Sequence, residues 1–270
     1  MKIGICAPAC RIEPATAERV TAWAAAHYGD RVSLRFHPQS FLSAGHFAGE
    51  DAARLAALVE LANDPELDAI WFARGGYGSC RIAEAALDAF GPAAGDKVYF
   101  GYSDMGFLLA GLARRGIGRP VHGPLVNDAL RDGGEAALSR ALGWLVDGDP
   151  SGLEPSLDGR PAVALNLTVL SHLLGTPLEP DLAGRVLMLE EVSEHHYAID
   201  RAFFHVTNAA AVRRAAGLRL GRCTLVPHNE PAFGVDEEAI ARFWCERAGL
   251  PYLGRADIGH DADNKIVPFG

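Results

Sequence analysis

Short apolar runs that alternate with longer helical stretches constrain the fold of this chain more than any other feature of its sequence. In the first half, the runs KIGICA, VSLRF, DAIWFA, KVYFG and PVHGP read as strands. Between them, the sequence predicts helices over residues 15–27, 50–62 and 83–89 and after Ser103. Strands that alternate with helices form right-handed crossovers and a parallel sheet. The sequence therefore predicts an α/β fold in which functional side chains gather at the carboxyl ends of strands.

The second half resumes this alternation after a segment that is dense in Gly, Pro, Asp and Ser. That segment, LVDGDPSGLEPSLDGRPA over residues 145–162, is typical of a linker. Beyond it we predict a short helix in LNLTVLSHLLG, a strand in GRVLMLEEV, a helix in IDRAFFHVTNAAAV, a strand in LRLGRCTLV and a helix over residues 236–248. We therefore predict an N-terminal α/β domain over residues 1–150 and a C-terminal domain over residues 160–270, joined by a linker over residues 151–159.

The charge and hydropathy of the chain narrow the classes of function. The formal net charge is −9 over 270 residues, which argues against nucleic acid or an anionic membrane as the main partner, because both require clustered Lys and Arg. No apolar run approaches the roughly 20 residues that span a bilayer. The first residues, MKIGICAPAC, lack the apolar length and cleavage site of a signal peptide. We expect a cytoplasmic protein.

Ser103 stands in the sequence GYSD, where an apolar run ends and a helical stretch begins. In a nucleophile elbow, a serine at such a turn projects its hydroxyl clear of the sheet. The backbone N–H of the next residue, Asp104, would lie at a helix N-terminus and could donate to an oxyanion. Met105 occupies the last glycine position of the common G-x-S-x-G pattern. Two interpretations stay open, a nucleophile and a helix N-cap.

The sequence RGGYGS, over residues 74–79, has three glycines in four positions. Glycine permits positive φ and close backbone approach, so this loop could offer N–H groups to a phosphate, a carboxylate or an oxyanion. It matches neither the dinucleotide fingerprint nor a P-loop, since no G-K-[ST] follows. An ordinary turn between strand and helix is the alternative.

Glu190 and His260 are further candidates for acid–base chemistry. Glu190 ends the strand-like run GRVLMLE, where a carboxylate can orient a histidine or simply face solvent. His260 lies in DIGHDADN and could act as a general base. It could also bind a metal with Asp257, Asp261 or Asp263, although the spacing matches no metal motif.

Taken in order, several motifs make the chain resemble the LD-carboxypeptidase family of serine peptidases. They are IGICAPA, DPELDAIWFARGGYGSCRI, FGYSDMGFL, HGP, NLTVLSHLLGTP, GRVLMLEEVSEHHYAIDR and GHDADNKIVPFG. The resemblance implies a flavodoxin-like parallel-sheet N-terminal domain and a smaller mixed α/β C-terminal domain. It also implies a triad of Ser103 as nucleophile, His260 as base and Glu190 as the acid that orients it. The backbone at Asp104 and Gly76 would form the oxyanion hole.

The resemblance further implies a reaction and a setting. Such enzymes remove the terminal D-alanine from cytoplasmic muramoyl tetrapeptides in peptidoglycan recycling, without a metal or other cofactor, and a homodimer is implied. A related branch hydrolyses peptidyl-nucleotide antibiotics of the microcin type. A non-catalytic flavodoxin-like module that binds an anion is an alternative from another class.

The substrate side of the site is where the chain departs from the family pattern. Ala164 and Leu165 replace glycines before Asn166, and Ala198 stands where an arginine is common. We expect Asn166 on the substrate side. Arg81 is a candidate, by charge alone, for the free carboxylate of the substrate.

Overall fold

The structure is a computed structural model that describes all 270 residues. Ten strands cover Lys2–Cys6 (β1), Ser33–Phe36 (β2), Ala69–Phe72 (β3), Val98–Gly101 (β4), Arg119–His122 (β5), Ala162–Asn166 (β6), Val186–Val192 (β7), Gly217–Thr224 (β8), Tyr252–Arg255 (β9) and Val267–Pro268 (β10). Eight α-helices cover Pro14–Tyr28 (α1), Asp51–Asn63 (α2), Ala83–Asp88 (α3), Gly106–Arg115 (α4), Gly134–Leu142 (α5), Leu167–Leu173 (α6), His196–Asn208 (α7) and Glu237–Ala248 (α8). None of these helices is both long enough and apolar enough to cross a bilayer.

The first sheet contains β1 to β5 in the order β2-β1-β3-β4-β5, all parallel. This is the flavodoxin-like strand order that a doubly wound α/β fold adopts, and it confirms the predicted fold class. A sixth strand, β10, pairs antiparallel with β5 through Val267 and His122. The chain therefore returns to the first sheet after it has built the second.

The second sheet contains β6, β7, β8 and β9, which are also parallel. The strand β6 overlaps the segment in which we predicted only a helix. Its five residues are all buried and show no alternation of polar and apolar side chains, so the sequence pattern did not indicate a strand. The helix α6 begins after Asn166, whose side-chain oxygen accepts a hydrogen bond from Val169 N (3.0 Å) as an N-cap.

The segment proposed as a linker is attached to the end of the chain. Leu153 forms a parallel bridge with Ile266, and Glu154 N donates to the Ile266 carbonyl (2.9 Å). The side chain of Glu154 is buried and accepts from Asp257 N (3.0 Å). These contacts attach residues 153–154 to the C-terminal segment. The predicted linker therefore follows one defined path. The division into domains at residues 151–159 stays a prediction.

The helix α4 packs between the two sheets and joins their cores. Leu108 and Leu109 of α4 belong to the same buried cluster as Leu165 of β6 and Leu170 of α6. The close approach depends on Gly106, where a Cβ atom would lie 2.9 Å from Val169 Cγ1 and 3.0 Å from Leu165 Cδ2. The residue that directly precedes α4 in sequence is Met105, two positions after Ser103, so this packing also positions the turn that carries Ser103.

A larger side chain at Gly106 should separate α4 from the second sheet. We expect Gly106→Val to lower the free energy of unfolding by about 1–3 kcal/mol, because the buried contacts with Val169 and Leu165 leave no room for it. Urea denaturation measures the change. The matched control is Gly95→Val, at a position with no neighbour within 4 Å of the added Cβ. Equal effects of the two substitutions would contradict the tight packing at α4.

Candidate active site

The carboxyl ends of the two parallel sheets meet at one cavity of about 490 Å³. Ser103 follows β4 of the first sheet, and Asn166 ends β6 of the second. Both side chains line the cavity, as does His260 from the loop after β9. We call this space the Ser103 cavity. The sites expected at the strand ends of each half are thus brought together.

Ser103 has a backbone conformation that non-glycine residues rarely adopt. Its φ is +62°, in the left-handed region, where a Cβ atom is unfavourable. The residue in the N-cap position is Tyr102, and the turn has no side-chain cap. Ser103 Oγ instead lies 2.9 Å from His260 Nε2. The helix-cap interpretation of Ser103 is therefore wrong, and the strained turn aims the hydroxyl at an imidazole.

His260 connects Ser103 to a carboxylate. Its Nδ1 lies 2.5 Å from Glu190 Oε2, so the N–H at this position donates to the carboxylate. In the neutral ring this leaves Nε2 unprotonated and able to accept the Ser103 hydroxyl proton. The three predicted residues thus form one continuous chain of hydrogen bonds, although 157 positions separate Ser103 from His260.

Glu190 is completely buried within β7, two residues before the strand ends. Its Oε2 faces His260, whereas its Oε1 has no hydrogen-bond partner in the protein. The space for this side chain comes from Gly221 of β8, where a Cβ atom would lie 2.9 Å from Glu190 Cβ. The pairing of β7 with β8 shifts register beside it, between Leu189 and Glu191. An isolated glycine inside a strand often marks such an irregularity, so the run LRLGRC carried this signal.

The electrostatic surroundings of His260 stabilise its protonated form. Burial alone lowers the pKa of the imidazole, but the charge and hydrogen bond of Glu190 outweigh this effect. The carboxyl groups of Asp128 and Glu191 act in the same direction. The pKa of His260 is therefore raised above its ordinary value, which suits a group that must hold a proton during a reaction.

An arginine that the sequence reasoning missed holds the loop that carries His260. Arg222 of β8 donates to both carboxylate oxygens of Asp261, from Nε (2.5 Å) and from a terminal nitrogen (2.7 Å). It also forms an ion pair with Asp257. Two of the three carboxylates considered as metal ligands for His260 thus face Arg222, and they fix the loop on each side of the histidine.

The glycine loop RGGYGS lies against the Ser103 turn. A Cβ atom at Gly75 would lie 2.8 Å from Ser103 Oγ, and one at Gly76, where φ is +102°, would lie 2.4 Å from Cys10 Sγ. Ser79 anchors the loop, since its N–H donates to Asp104 Oδ2 (2.8 Å) and its hydroxyl donates to the Asp104 carbonyl (2.6 Å). Burial raises the pKa of Asp104.

This anchoring leaves backbone donors beside the serine. The Gly76 N–H makes no hydrogen bond within the protein, and Gly76 lines the Ser103 cavity. The Asp104 N–H lies in the first turn after β4, where helical N–H groups have no acceptor in the preceding turn. Two N–H groups thus lie beside Ser103 without an acceptor in the protein, and the oxyanion-hole role of Asp104 and Gly76 stays a prediction.

Of the two residues expected on the substrate side, only Asn166 lines the cavity. Asn166 Nδ2 donates to Glu191 Oε1 (2.7 Å). Arg81 is not among the residues that line the cavity, because its guanidinium lies against Asp51, with Nε 2.8 Å from Asp51 Oδ2. Charge alone suggested Arg81, and its pairing with Asp51 is a long-range contact that no sequence motif indicates.

Comparison with protein families gives two matches that together cover most of the chain. The family model for the LD-carboxypeptidase N-terminal domain matches residues 3–123, and the model for the LD-carboxypeptidase C-terminal domain matches residues 161–270. Among curated proteins, a putative carboxypeptidase of Synechocystis is 34% identical, over 84% of this chain and 75% of its own length. A probable murein peptide carboxypeptidase of Bacillus subtilis is 29% identical, over 84% and 74%.

A murein tetrapeptide carboxypeptidase of Pseudomonas aeruginosa is 27% identical, over 90% of this chain and 81% of its own length. Solved structures with the same fold include a muramoyltetrapeptide carboxypeptidase from Oxalobacter formigenes, with a TM-score of 0.80 at 21% identity over 99% and 93% of the two chains. The microcin C7 self-immunity protein in its wild-type apo state has a TM-score of 0.79 at 16% identity over 100% and 91%.

The strained backbone at Ser103 should be measurable without a substrate. We expect Ser103→Gly to be more stable than Ser103→Ala by about 1 kcal/mol, because glycine adopts a φ of +62° without a steric penalty and alanine does not. Chemical denaturation of both variants gives the difference. The same pair at Ser171, inside helix α6, should show the opposite order by about 1 kcal/mol. The same order at both positions would contradict strain at Ser103.

The raised pKa of His260 should depend on Glu190. We expect NMR titration to give an imidazole midpoint above about 6.5, the ordinary value for histidine. In Glu190→Gln the midpoint should move to lower pH, since the substitution removes the charge that favours imidazolium while the ring stays buried. The resonance is assigned by its loss in His260→Asn. A midpoint that does not move would show that Glu190 leaves the ring's protonation unaffected.

Proposed function

The chain belongs to the LD-carboxypeptidase family, and on that premise we propose that it removes the terminal D-alanine from muramoyl tetrapeptides by serine catalysis. The observation that carries the proposal is the hydrogen-bonded chain from Ser103 through His260 to Glu190, at the wall of a cavity that is open to a substrate. Relatives named as murein peptide carboxypeptidases support the choice of substrate.

The first half of the reaction forms an acyl-enzyme. Ser103 Oγ attacks the carbonyl that precedes D-alanine, and His260 Nε2 takes the hydroxyl proton. The negative charge that develops on the carbonyl oxygen is stabilised by the N–H groups of Asp104 and Gly76, where loss of one donor typically raises the barrier by about 3 kcal/mol. Glu190 keeps the proton on Nδ1 and stabilises the imidazolium.

The second half regenerates the serine. The imidazolium gives its proton to the nitrogen of the departing D-alanine as the C–N bond breaks. A water molecule then donates a proton to His260 Nε2 and attacks the ester carbonyl in the same oxyanion site. When the C–O bond to Ser103 breaks, the proton returns to Oγ. The residues of this chain account for every proton transfer, so we propose that no cofactor takes part.

The setting of the reaction is also part of the proposal. We propose that the protein works in the cytoplasm, in peptidoglycan recycling, and as a homodimer. Its partner is then a small peptide rather than a nucleic acid or a membrane, which agrees with the net charge of −9. The domain division at residues 151–159 would place the nucleophile on one side of the cavity and Glu190 and His260 on the other.

A second candidate function keeps the chemistry and changes the substrate. Structures of the microcin C7 self-immunity protein, one of them in complex with glutamyl sulfamoyl guanosine, match the whole chain with TM-scores of 0.79. Hydrolysis of a peptidyl-nucleotide antibiotic is therefore an alternative that the fold permits. A non-catalytic module that binds an anion would leave the aligned Ser103, His260 and Glu190 without a role.

One incubation separates these functions. With a muramoyl tetrapeptide, mass spectrometry should detect the tripeptide and free D-alanine, because Ser103 attacks the last peptide bond. Ser103→Ala should reduce kcat by at least about 10⁴-fold while the protein stays folded. Turnover of a peptidyl-nucleotide without turnover of the tetrapeptide would favour the second candidate. Saturable binding without turnover of either compound would overturn both enzymatic functions.

A further inference from the structure

A buried arginine that the proposed mechanism does not use lies against the glycine loop RGGYGS. Arg54, in the first turn of α2, has no exposed surface, and its Nε has no hydrogen-bond partner. Its counter-ion is Asp51 of the same helix, which is 40% exposed and also pairs with Arg81. Because a buried ion pair is weak evidence for stability, the role of Arg54 depends on what its guanidinium holds.

The guanidinium of Arg54 joins two segments that follow neighbouring strands. Its Nη1 donates to the carbonyl of Pro8, after β1, and to the carbonyl of Gly78, after β3 (2.9 Å). The strands β1 and β3 pair with each other in the first sheet. The Phe47 ring covers the guanidinium, with its centre 4.7 Å from Cζ. A Cβ atom at Gly78 would lie 3.0 Å from Nη1, so the glycine loop is in direct contact with the cation.

The carbonyl of Gly78 belongs to a peptide group that is held at both ends. In a planar trans peptide, the C=O and the following N–H point in opposite directions. The Gly78 carbonyl accepts from Arg54. The N–H of the same peptide group belongs to Ser79 and donates to Asp104 Oδ2 (2.8 Å). One rigid group therefore connects Arg54 to Asp104, whose N–H is one of the two predicted oxyanion donors.

The second predicted donor, the Gly76 N–H, is linked to Arg54 through the segment after β1. The peptide group of this N–H carries the carbonyl of Gly75, which accepts from Cys10 N (3.3 Å). The Gly76 N–H therefore points away from Cys10, and it makes no hydrogen bond within the protein. Cys10 lies two residues after Pro8, whose carbonyl accepts from Arg54. Arg54 thus holds the segment that orients the second donor.

We propose that Arg54 is a positioning residue, which sets the N–H groups of Gly76 and Asp104 through the carbonyls of Pro8 and Gly78. This inference rests on the proposed function. Nη2 of Arg54 donates to the Asp51 carboxylate, so the ion pair fixes the direction in which the planar guanidinium presents Nη1. Arg54 does not line the Ser103 cavity, and it acts only through the backbone that it holds.

Steady-state kinetics on a muramoyl tetrapeptide tests the inference with two substitutions. Arg54→Met removes the donors and should lower kcat by about 10- to 100-fold, because displaced oxyanion donors stabilise the transition state less. KM should change by less than about twofold, since Arg54 does not contact the cavity. Arg54→Lys should recover part of the lost kcat, because its ammonium group can donate to the same carbonyls. An unchanged kcat in Arg54→Met, or a rise in KM alone, would overturn the positioning role.

Arg219 offers a matched control in the second sheet. Its Nη1 also donates to two backbone carbonyls, those of Leu253 (2.6 Å) and Arg255 (3.3 Å), and its Nε is likewise buried without a partner. It does not line the Ser103 cavity, so Arg219→Met and Arg219→Lys should leave kcat unchanged. If Arg54→Met does not fold, the comparison of Arg54→Lys with Arg219→Lys decides. A loss of kcat confined to Arg54 supports the inference, and equal losses at both arginines reject it.

The rate at which a fluorophosphonate modifies Ser103 separates a failure of this inference from a failure of the proposed function. Ser103 Oγ bonds to phosphorus, fluoride leaves, and the hydroxyl proton passes through His260 to water, while the phosphonyl oxygen faces the proposed oxyanion site. No peptide is needed. Slower modification of Arg54→Met than of Arg219→Met and the unaltered protein would support the positioning role even if no D-alanine were released from the tetrapeptide. Release of D-alanine with equal modification rates in all three proteins would reject the positioning role and leave the proposed function intact.

Discussion

The hydrogen bond between Ser103 Oγ and His260 Nε2 is the interaction on which the proposed function depends, because it joins the two halves of the chain at the cavity. Ser103 and His260 are each held in place by separate contacts. A left-handed turn after β4 presents the serine, and the ion pairs of Arg222 hold the loop of the histidine. The helix α4 keeps the sheets close enough for the two groups to meet.

The part of the fold that follows from local pattern could be predicted from the sequence. The strands of the first sheet are short apolar runs bounded by turn residues, and each is followed by a helical stretch. Their succession along the chain could therefore be predicted. The strand β6 was missed because a completely buried strand lacks the alternation that distinguishes strand from helix. The return of β10 to the first sheet is a long-range pairing that no local pattern encodes.

The candidate site was likewise predicted only in part. The roles of Ser103, Glu190 and His260 came from a family resemblance, since no local spacing links residues so far apart. The surroundings of these residues were not predictable, because they depend on which side chains are already paired. Arg81 and Arg201 look alike in the sequence, but Arg81 is paired with Asp51, whereas Arg201 forms no ion pair although it lines a cavity together with Glu194. Paired and unpaired charges differ only in three dimensions.

The unpartnered Oε1 of Glu190 has a consequence for the energetics of the resting protein. A carboxylate that is cut off from water on every side and bonded on one side only is poorly solvated by its surroundings, which leaves the imidazole as the main source of compensating charge. Protonation of the His260 ring therefore compensates the poor solvation of the Glu190 carboxylate, which exists before any ligand enters. The fold thus places beside the imidazole an anion that is stabilised fully only when its neighbour becomes a cation.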